Sequence, residues 1–265
     1  MKAAPWEPTT TIIRVLEHTL ALLALTQPMK PIFWPVMLGM YLWMCMSTGM
    51  YLHRIVSHRC LECSAPLRFF LTIGTALNLG GDPIRWAAVH RWHHVHSDTP
   101  NDVHTPVHGF HYAQGFWAHK LDAVMLEPML NLVKDVHDYW LHRWFYNPNI
   151  YVLPHLLAIA TFYTLWGWAG VLWCLYVPLV VLIHITHAVN SFGHMPRFGS
   201  RRYETRDTST NVWWLALPTL GDAWHNNHHA HPGKAGHGET WWELDLNKAF
   251  IWAFEKVGLV RKVVW

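Results

Sequence analysis

Residues 32–52 read IFWPVMLGMYLWMCMSTGMYL, and the chain continues directly as HRIVSHR over residues 53–59. The first run carries no charge and is long enough, as a helix, to cross the ~30 Å hydrocarbon core of a bilayer. It delivers the chain straight into a group of histidines. A second run without Asp, Glu, Lys or Arg covers residues 150–192. At about 20 residues per crossing it holds two spans, 150–167 and 171–192, with GWAG at 167–170 as the turn. A fourth span, 12–27, carries Arg14, Glu17 and His18 in its first turns, where charges reach the interface, and QPMKP at 27–31 turns it into the span 32–52. The expected fold is an all-α integral membrane protein: four transmembrane helices in two hairpins beneath a helical cap formed by residues 53–149 and 193–265. With no repeat or low-complexity linker, residues 1–265 form a single domain. Within the cap, LRFFLTIGTALNLGG is too short for a span and reads as a re-entrant or interfacial helix. Residues 111–145 mix aromatic with charged side chains, as helices lying along a membrane surface do.

Composition points the same way. Apolar residues make up 52% and charged residues 14%, with 18 Trp, which suits interfacial belts. A formal net charge of +3 and no basic run exclude nucleic acid as a partner. Cys60 and Cys63 form a lone CxxC, which without a second pair reads as incidental. The N-terminal MKAAPWEPTT lacks the pattern of a signal peptide. Only Lys30 among the cationic side chains falls in the turn opposite the histidines, so the positive-inside rule places the histidine-bearing face and both termini in the cytoplasm.

Three histidine clusters share that face: His53 and His58; His90, His93 and His94; His225, His228 and His229. Positions i, i+3 and i+4 of a helix point together, so the second and third clusters each present one face. Asn190 and His194, also four apart, lie where the last span leaves the membrane. His53 and His58 are five apart, which on a regular helix splays them by about 140°. Neutral imidazole ligates iron, copper, zinc and nickel, and nine histidines exceed the need of one ion, so two ions are expected. Most of the solitary histidines, among them His18, His119, His137, His142, His155 and His237, read as ordinary interfacial or hydrogen-bonded residues. No HExxH occurs and no carboxylate lies inside a cluster, which disfavours metal-assisted hydrolysis. A transporter would carry its ligands near the bilayer midplane, not past the span ends. What remains is non-haem iron handling O₂ on an apolar substrate entering from the lipid.

HRIVSHR, HRWHH, NSFGH and HNNHH together resemble the HxxxxH, HxxHH, NxxxH and HxxHH elements of the membrane fatty-acyl desaturases of the stearoyl-CoA desaturase and bacterial Δ9 type. The resemblance runs from about residue 32 to 232. It implies two non-haem iron ions (Fe2+) held by His53, His58, His90, His93, His94, His194, His225, His228 and His229, with Asn190 acting through a water. It also implies an O₂-dependent desaturase placing a cis double bond, by the family's habit at Δ9, in a saturated fatty-acyl chain. A hydroxylase using the same centre is the nearest alternative, and a non-catalytic metal-binding or metal-transport membrane protein the alternative of another class. Animal acyl-CoA enzymes carry Arg-Asp where this chain has Ala88 and Val89, so the acyl carrier stays open among lipid, CoA and carrier protein. Electrons must come from a separate donor such as ferredoxin, rubredoxin or cytochrome b5. The bacterial inner membrane is the expected location. In the resembling family the span before the first cluster closes the far end of the acyl tunnel. Here Met37, Tyr41, Met44 and Thr48 share one face of that span and are expected to line it, with Tyr41 limiting chain length.

Overall fold

A computed structural model describes residues 7–121 and 123–265. The first six residues, part of the stretch read for a signal peptide, lie outside them. Helix α1, Pro8–Leu23, starts four residues before the expected span because Glu7 caps it. The Glu7 carboxylate accepts from the Thr10 amide at 2.6 Å, and Pro8 occupies the first position, where its missing N–H has no cost. A short 3₁₀ turn, Ala24–Thr26, ends it. Helix α2, Phe33–Met46, then runs without a break into a π-wound segment, Ser47–Ser57. The helical winding therefore extends past the expected span end at residue 52 and carries His53 with it. Helix α3 is Ala65–Leu77. Helix α4, Pro83–His96, is capped by Asp82, which accepts from the amides of Ile84 (3.0 Å) and Arg85 (3.1 Å).

The long apolar stretch forms α5, Leu153–Val171, and α6, Val177–Phe192. The expected turn falls inside α5: Gly167 has φ 64° and ψ −160°, a conformation that only glycine adopts without strain, and it breaks the winding there. Ala158, Ile159 and Phe162 before the break then share one apolar cluster with Leu172, Leu175 and Leu179 after it. Met40 and Met44 of α2 and Leu20 and Ala21 of α1 complete that cluster, so all four apolar segments bury a common core. Their outward faces stay apolar: Leu22, Leu25, Leu38, Leu157 and Leu165 are mostly exposed. Such a surface suits a lipid surround and not water. Among the described residues, Pro148–Phe192 is the helical stretch long and apolar enough to cross a membrane.

A second core, including Leu52, Leu71, Ile84, Ala88, Val133 and Ile251, knits the cap together. Helix α7, His225–Ala230, and helix α8, Leu246–Lys256, supply its C-terminal half. The all-helical reading omitted one small feature. Strand β1, Glu62–Cys63, pairs antiparallel with β2, Val260–Arg261, in the register Cys63↔Val260, which ties the chain's end to the exit of the first histidine cluster. Cys60 and Cys63 are buried free thiols; Cys60 Sγ donates to the carbonyls of Pro232 and Lys234 instead of meeting Cys63.

Candidate metal centre

The π-winding resolves the awkward spacing of His53 and His58. In an i→i+5 helix, residues five apart lie one above the other. The His58 amide donates to the His53 carbonyl at 3.1 Å, an i→i+5 bond, and both rings join one group of donors. Helix α4 then divides its histidines. His90 and His94, four apart, join His53 and His58, while His93 turns to a second group. Helix α7 divides its own the other way: His228 joins the first group, and His225 and His229 join the second with His194. Five imidazoles converge in one set and four in the other. All nine expected ligands are thus brought together, in two sets sharing two helices.

Spacing within each set is that of donors around an ion. The Nε2–Nε2 separations are 2.7 Å for His58–His90, 2.9 Å for His53–His228 and 3.0 Å for His94–His228. In the second set they are 2.9 Å for His194–His225 and 3.4 Å for His93–His229. Metal–nitrogen bonds of about 2.0–2.1 Å place neighbouring donor atoms roughly 3.0–3.4 Å apart.

Carboxylates decide which nitrogen faces inward. Nδ1 of His93 lies 2.9 Å from Asp102, Nδ1 of His194 lies 2.9 Å from Asp98, and Nδ1 of His229 lies 2.7 Å from Asp207. Each carboxylate accepts a hydrogen bond from Nδ1–H, which keeps the proton on Nδ1 and leaves Nε2 with only a lone pair. His93 and His229 therefore face each other across 3.4 Å with lone pairs alone, and a cation is what satisfies both. In the first set Asp222 stands 3.5 Å behind Nδ1 of His53. Gly49 makes room for it, since a side chain there would come within 2.6 Å of the Asp222 carboxylate. None of the four carboxylates belongs to a histidine cluster in the sequence. Asp98 and Asp102 follow α4 in SDTPND, a stretch whose Asp and Pro signal an ordinary turn. Their nearness to the second cluster is the one clue the sequence offers.

Burial first, and neighbouring imidazoles second, hold His58, His90, His93, His94, His225, His228 and His229 well below the ordinary histidine range. These rings stay neutral, the form that ligates. The unfolded chain takes up protons from about pH 6.5 downward while these folded groups do not. Their contribution to stability is complete above that pH and is lost as the pH falls below it. Metal-free protein in detergent should therefore melt several degrees lower at about pH 5.5 than at about pH 7.5. An unchanged midpoint would show that the rings are not packed neutral.

A cavity of about 760 Å³ reaches the first set. Arg14, Arg85, Glu127 and Tyr146 stand among its polar lining, and Thr48, Trp86, His90, Thr186, His187 and Asn190 line it toward the histidines. A smaller cavity of about 70 Å³ shares Thr48, Trp86, His90, Thr186 and Asn190 and continues to Cys45 and Thr219. Asn190 thus lies beside His90 in both. Of the residues expected in a tunnel, Thr48 lines both cavities, whereas Met37, Tyr41 and Met44 line neither. The reason is packing. Met44 is fully buried in the bundle core, and Met37 packs beside Phe33 and Ala169. Tyr41 donates its hydroxyl to the Pro218 carbonyl at 2.5 Å, one turn beyond Cys45, which caps the smaller cavity.

Three of the histidines read as ordinary, His142, His155 and His237, are buried and not interfacial. His142 is buried, with Nε2 2.6 Å from the Tyr51 hydroxyl and Nδ1 2.8 Å from the Val136 carbonyl, away from both sets. His237 is buried beside His53 and His228.

Residues 30–259 match the family model described as fatty acid desaturase. A chloroplastic protein of Arabidopsis thaliana, described as a probable lipid desaturase, is 33% identical over 97% of this chain and 70% of its own length. A Delta-9 desaturase-like protein of the same plant is 37% identical over 80% of this chain and 70% of its own. An sn-1 stearoyl-lipid 9-desaturase of Anabaena variabilis is 34% identical over 80% and 76% respectively.

Proposed function

Because this chain belongs to the fatty acid desaturase family, and so is an oxidoreductase acting on fatty-acyl chains, we propose that it places a cis double bond at Δ9 in a saturated acyl chain borne on a membrane lipid. In the balanced reaction a –CH2–CH2– unit, O₂, two electrons and two protons give –CH=CH– and two water molecules. The observation that carries the proposal is the pair of convergent imidazole sets, with His90 of the first set lining a cavity of about 760 Å³. The relatives named for acyl-lipid and stearoyl-lipid substrates support the lipid carrier and the Δ9 position.

Two non-haem irons fit the donor sets, one held by His53, His58, His90, His94 and His228, the other by His93, His194, His225 and His229, with Asn190 reaching the first through water. Iron bound there would activate O₂, which by itself reacts too slowly with an unactivated C–H bond. The protein's own part is placement and exclusion. Trp86, Leu182 and Ile183 offer the acyl chain an apolar wall, and Thr48, Thr186 and Asn190 flank it beside His90. The four carboxylates keep the imidazoles oriented whether or not substrate is present. Electrons come from a separate donor of the ferredoxin, rubredoxin or cytochrome b5 kind. The apolar outward faces of α1, α2, α5 and α6 support four spans in two hairpins, with the histidine face and both termini cytoplasmic in a bacterial inner membrane.

Expression in a host lacking unsaturated fatty acids tests this reading through the lipids formed. Δ9-unsaturated chains esterified in membrane lipid are expected. Hydroxylated chains, or no new product alongside iron-loaded protein, would overturn it.

Chain length gives a finer expectation. Tyr41 and the Cys45 thiol both point at the Pro218 carbonyl, and Cys45 lines the smaller cavity although Tyr41 does not. Tyr41→Ala would extend that cavity past Cys45, and each methylene newly buried contributes about 0.8 kcal/mol. Products from competing saturated substrates should shift toward chains two carbons longer by roughly tenfold. A fixed product ratio with activity retained would place the end of the pocket elsewhere.

A further inference from the structure

His237 lies in the segment AGHGET beyond the third histidine cluster and is 1% exposed. Its ring centroid is 4.5 Å from that of His228 and 5.2 Å from that of His53. Two buried nitrogens on these neighbouring rings have no hydrogen-bond partner, Nε2 of His237 and Nδ1 of His228. An unpaired buried polar atom costs roughly 1–3 kcal/mol, so two on adjacent rings call for a physical account.

The other side of His237 is firmly held. Its amide donates to Asp245 Oδ2 at 2.7 Å, and Asp245 also receives Arg54 Nη1 at 3.1 Å. Its Nδ1 lies 3.5 Å from Asp222 Oδ1 and 3.0 Å from Arg54 Nη2. That Arg54 nitrogen has two hydrogens and two charged acceptors, Asp222 Oδ1 at 3.0 Å and Asp245 Oδ2 at 3.3 Å. Charged acceptors outcompete a neutral imidazole, which leaves Nδ1 of His237 free to carry a proton toward Asp222.

We propose that His237 is the outer hydrogen-bond partner of His228, taking the place that Asp98, Asp102 and Asp207 take behind their own histidines. It rests on the two-metal reading above. When Nε2 of His228 ligates, its Nδ1 carries the proton. Nε2 of His237 accepts that proton's hydrogen bond, and Nδ1–H of His237 points to Asp222. The two rings are already in contact, their centroids 4.5 Å apart and their planes tilted by 39°. His237 is therefore a positioning residue, acting on the first set through His228.

The test compares His237→Phe, which keeps a flat ring but no nitrogen, with His237→Gln, which offers one acceptor and one donor as a neutral imidazole does. Iron-loaded wild type and variants are purified in detergent. Iron per chain, its release to a chelator and the near-infrared ligand-field bands of the ferrous protein are measured. His237→Phe should release half of its iron at least about tenfold faster and shift one site's bands only, since outer partners set metal affinity by that order. His237→Gln should restore both. Wild-type release and bands in His237→Phe would overturn the proposal, as would equal loss in the two variants, which would indicate packing alone. If wild type holds no iron in either set, the two-metal reading itself fails, and that result is separate from any difference between the variants.

Discussion

His94→Ala and His228→Ala are each expected to lower desaturation by about 100-fold or more, and to lower bound iron toward one ion per chain. Both residues belong to the first set, and their Nε2 atoms are 3.0 Å apart. Removing one ring opens a coordination position that no neighbouring donor fills, because every other imidazole of that set is already directed inward. Their positions also differ in origin: His94 comes from α4 and His228 from α7, so an equal effect tests the site and not one helix. His142→Ala is the informative contrast. It leaves the Tyr51 hydroxyl without its buried partner and costs about 1–3 kcal/mol of stability. Both imidazole sets remain intact, so iron content at matched folded protein should stay at the wild-type value. Iron lost equally from all three variants would contradict the assignment of His94 and His228, and not His142, to the metal site.

The parts of this centre that are legible in the sequence are those set by regular periodicity. HRWHH and HNNHH lie on α-helices, where i, i+3 and i+4 share a face, and the uncharged runs mark the apolar segments by length alone. The division between sets is not legible, because all three positions of each cluster share a face and only the facing helix decides which ion each meets. His53 and His58 are splayed on a regular helix, and they converge only because this one is π-wound. Gly49 lies within that winding, where Asp222 and Asn247 leave no room for a side chain. The expected tunnel face fails for a related reason. The period of α2 does place Met37, Tyr41 and Met44 with Thr48, yet neighbouring helices fill three of those four positions. Asp98, Asp102, Asp207, Asp222 and His237 escape a reading of motifs because loops carry them, and loop polarity looks the same whether it faces water or the back of an imidazole.

Asp98 offers the second large effect, since it ties His194 to both Thr208 and Thr105. One carboxylate oxygen lies 2.9 Å from Nδ1 of His194 and accepts from the Thr208 amide and hydroxyl, each at 2.7 Å. The other accepts from the Thr105 hydroxyl at 2.7 Å. Burial pushes the carboxyl's pKa up, but the His194 and Thr208 hydrogen bonds outweigh it and hold Asp98 below its ordinary range. It is therefore ionised at neutral pH and would counter the charge of a cation held by His194. Its backbone φ of 57° lies in the left-handed region, which Asn tolerates as well as Asp. Asp98→Asn thus removes the charge without adding backbone strain. The expected outcome is about 10- to 100-fold weaker iron retention in the second set, with the first set unchanged, and activity falling in parallel. Iron measured after graded chelator exposure checks this. Uniform loss from both sets would point to a general loosening of the cap, and full retention would deny the carboxylate its orienting role.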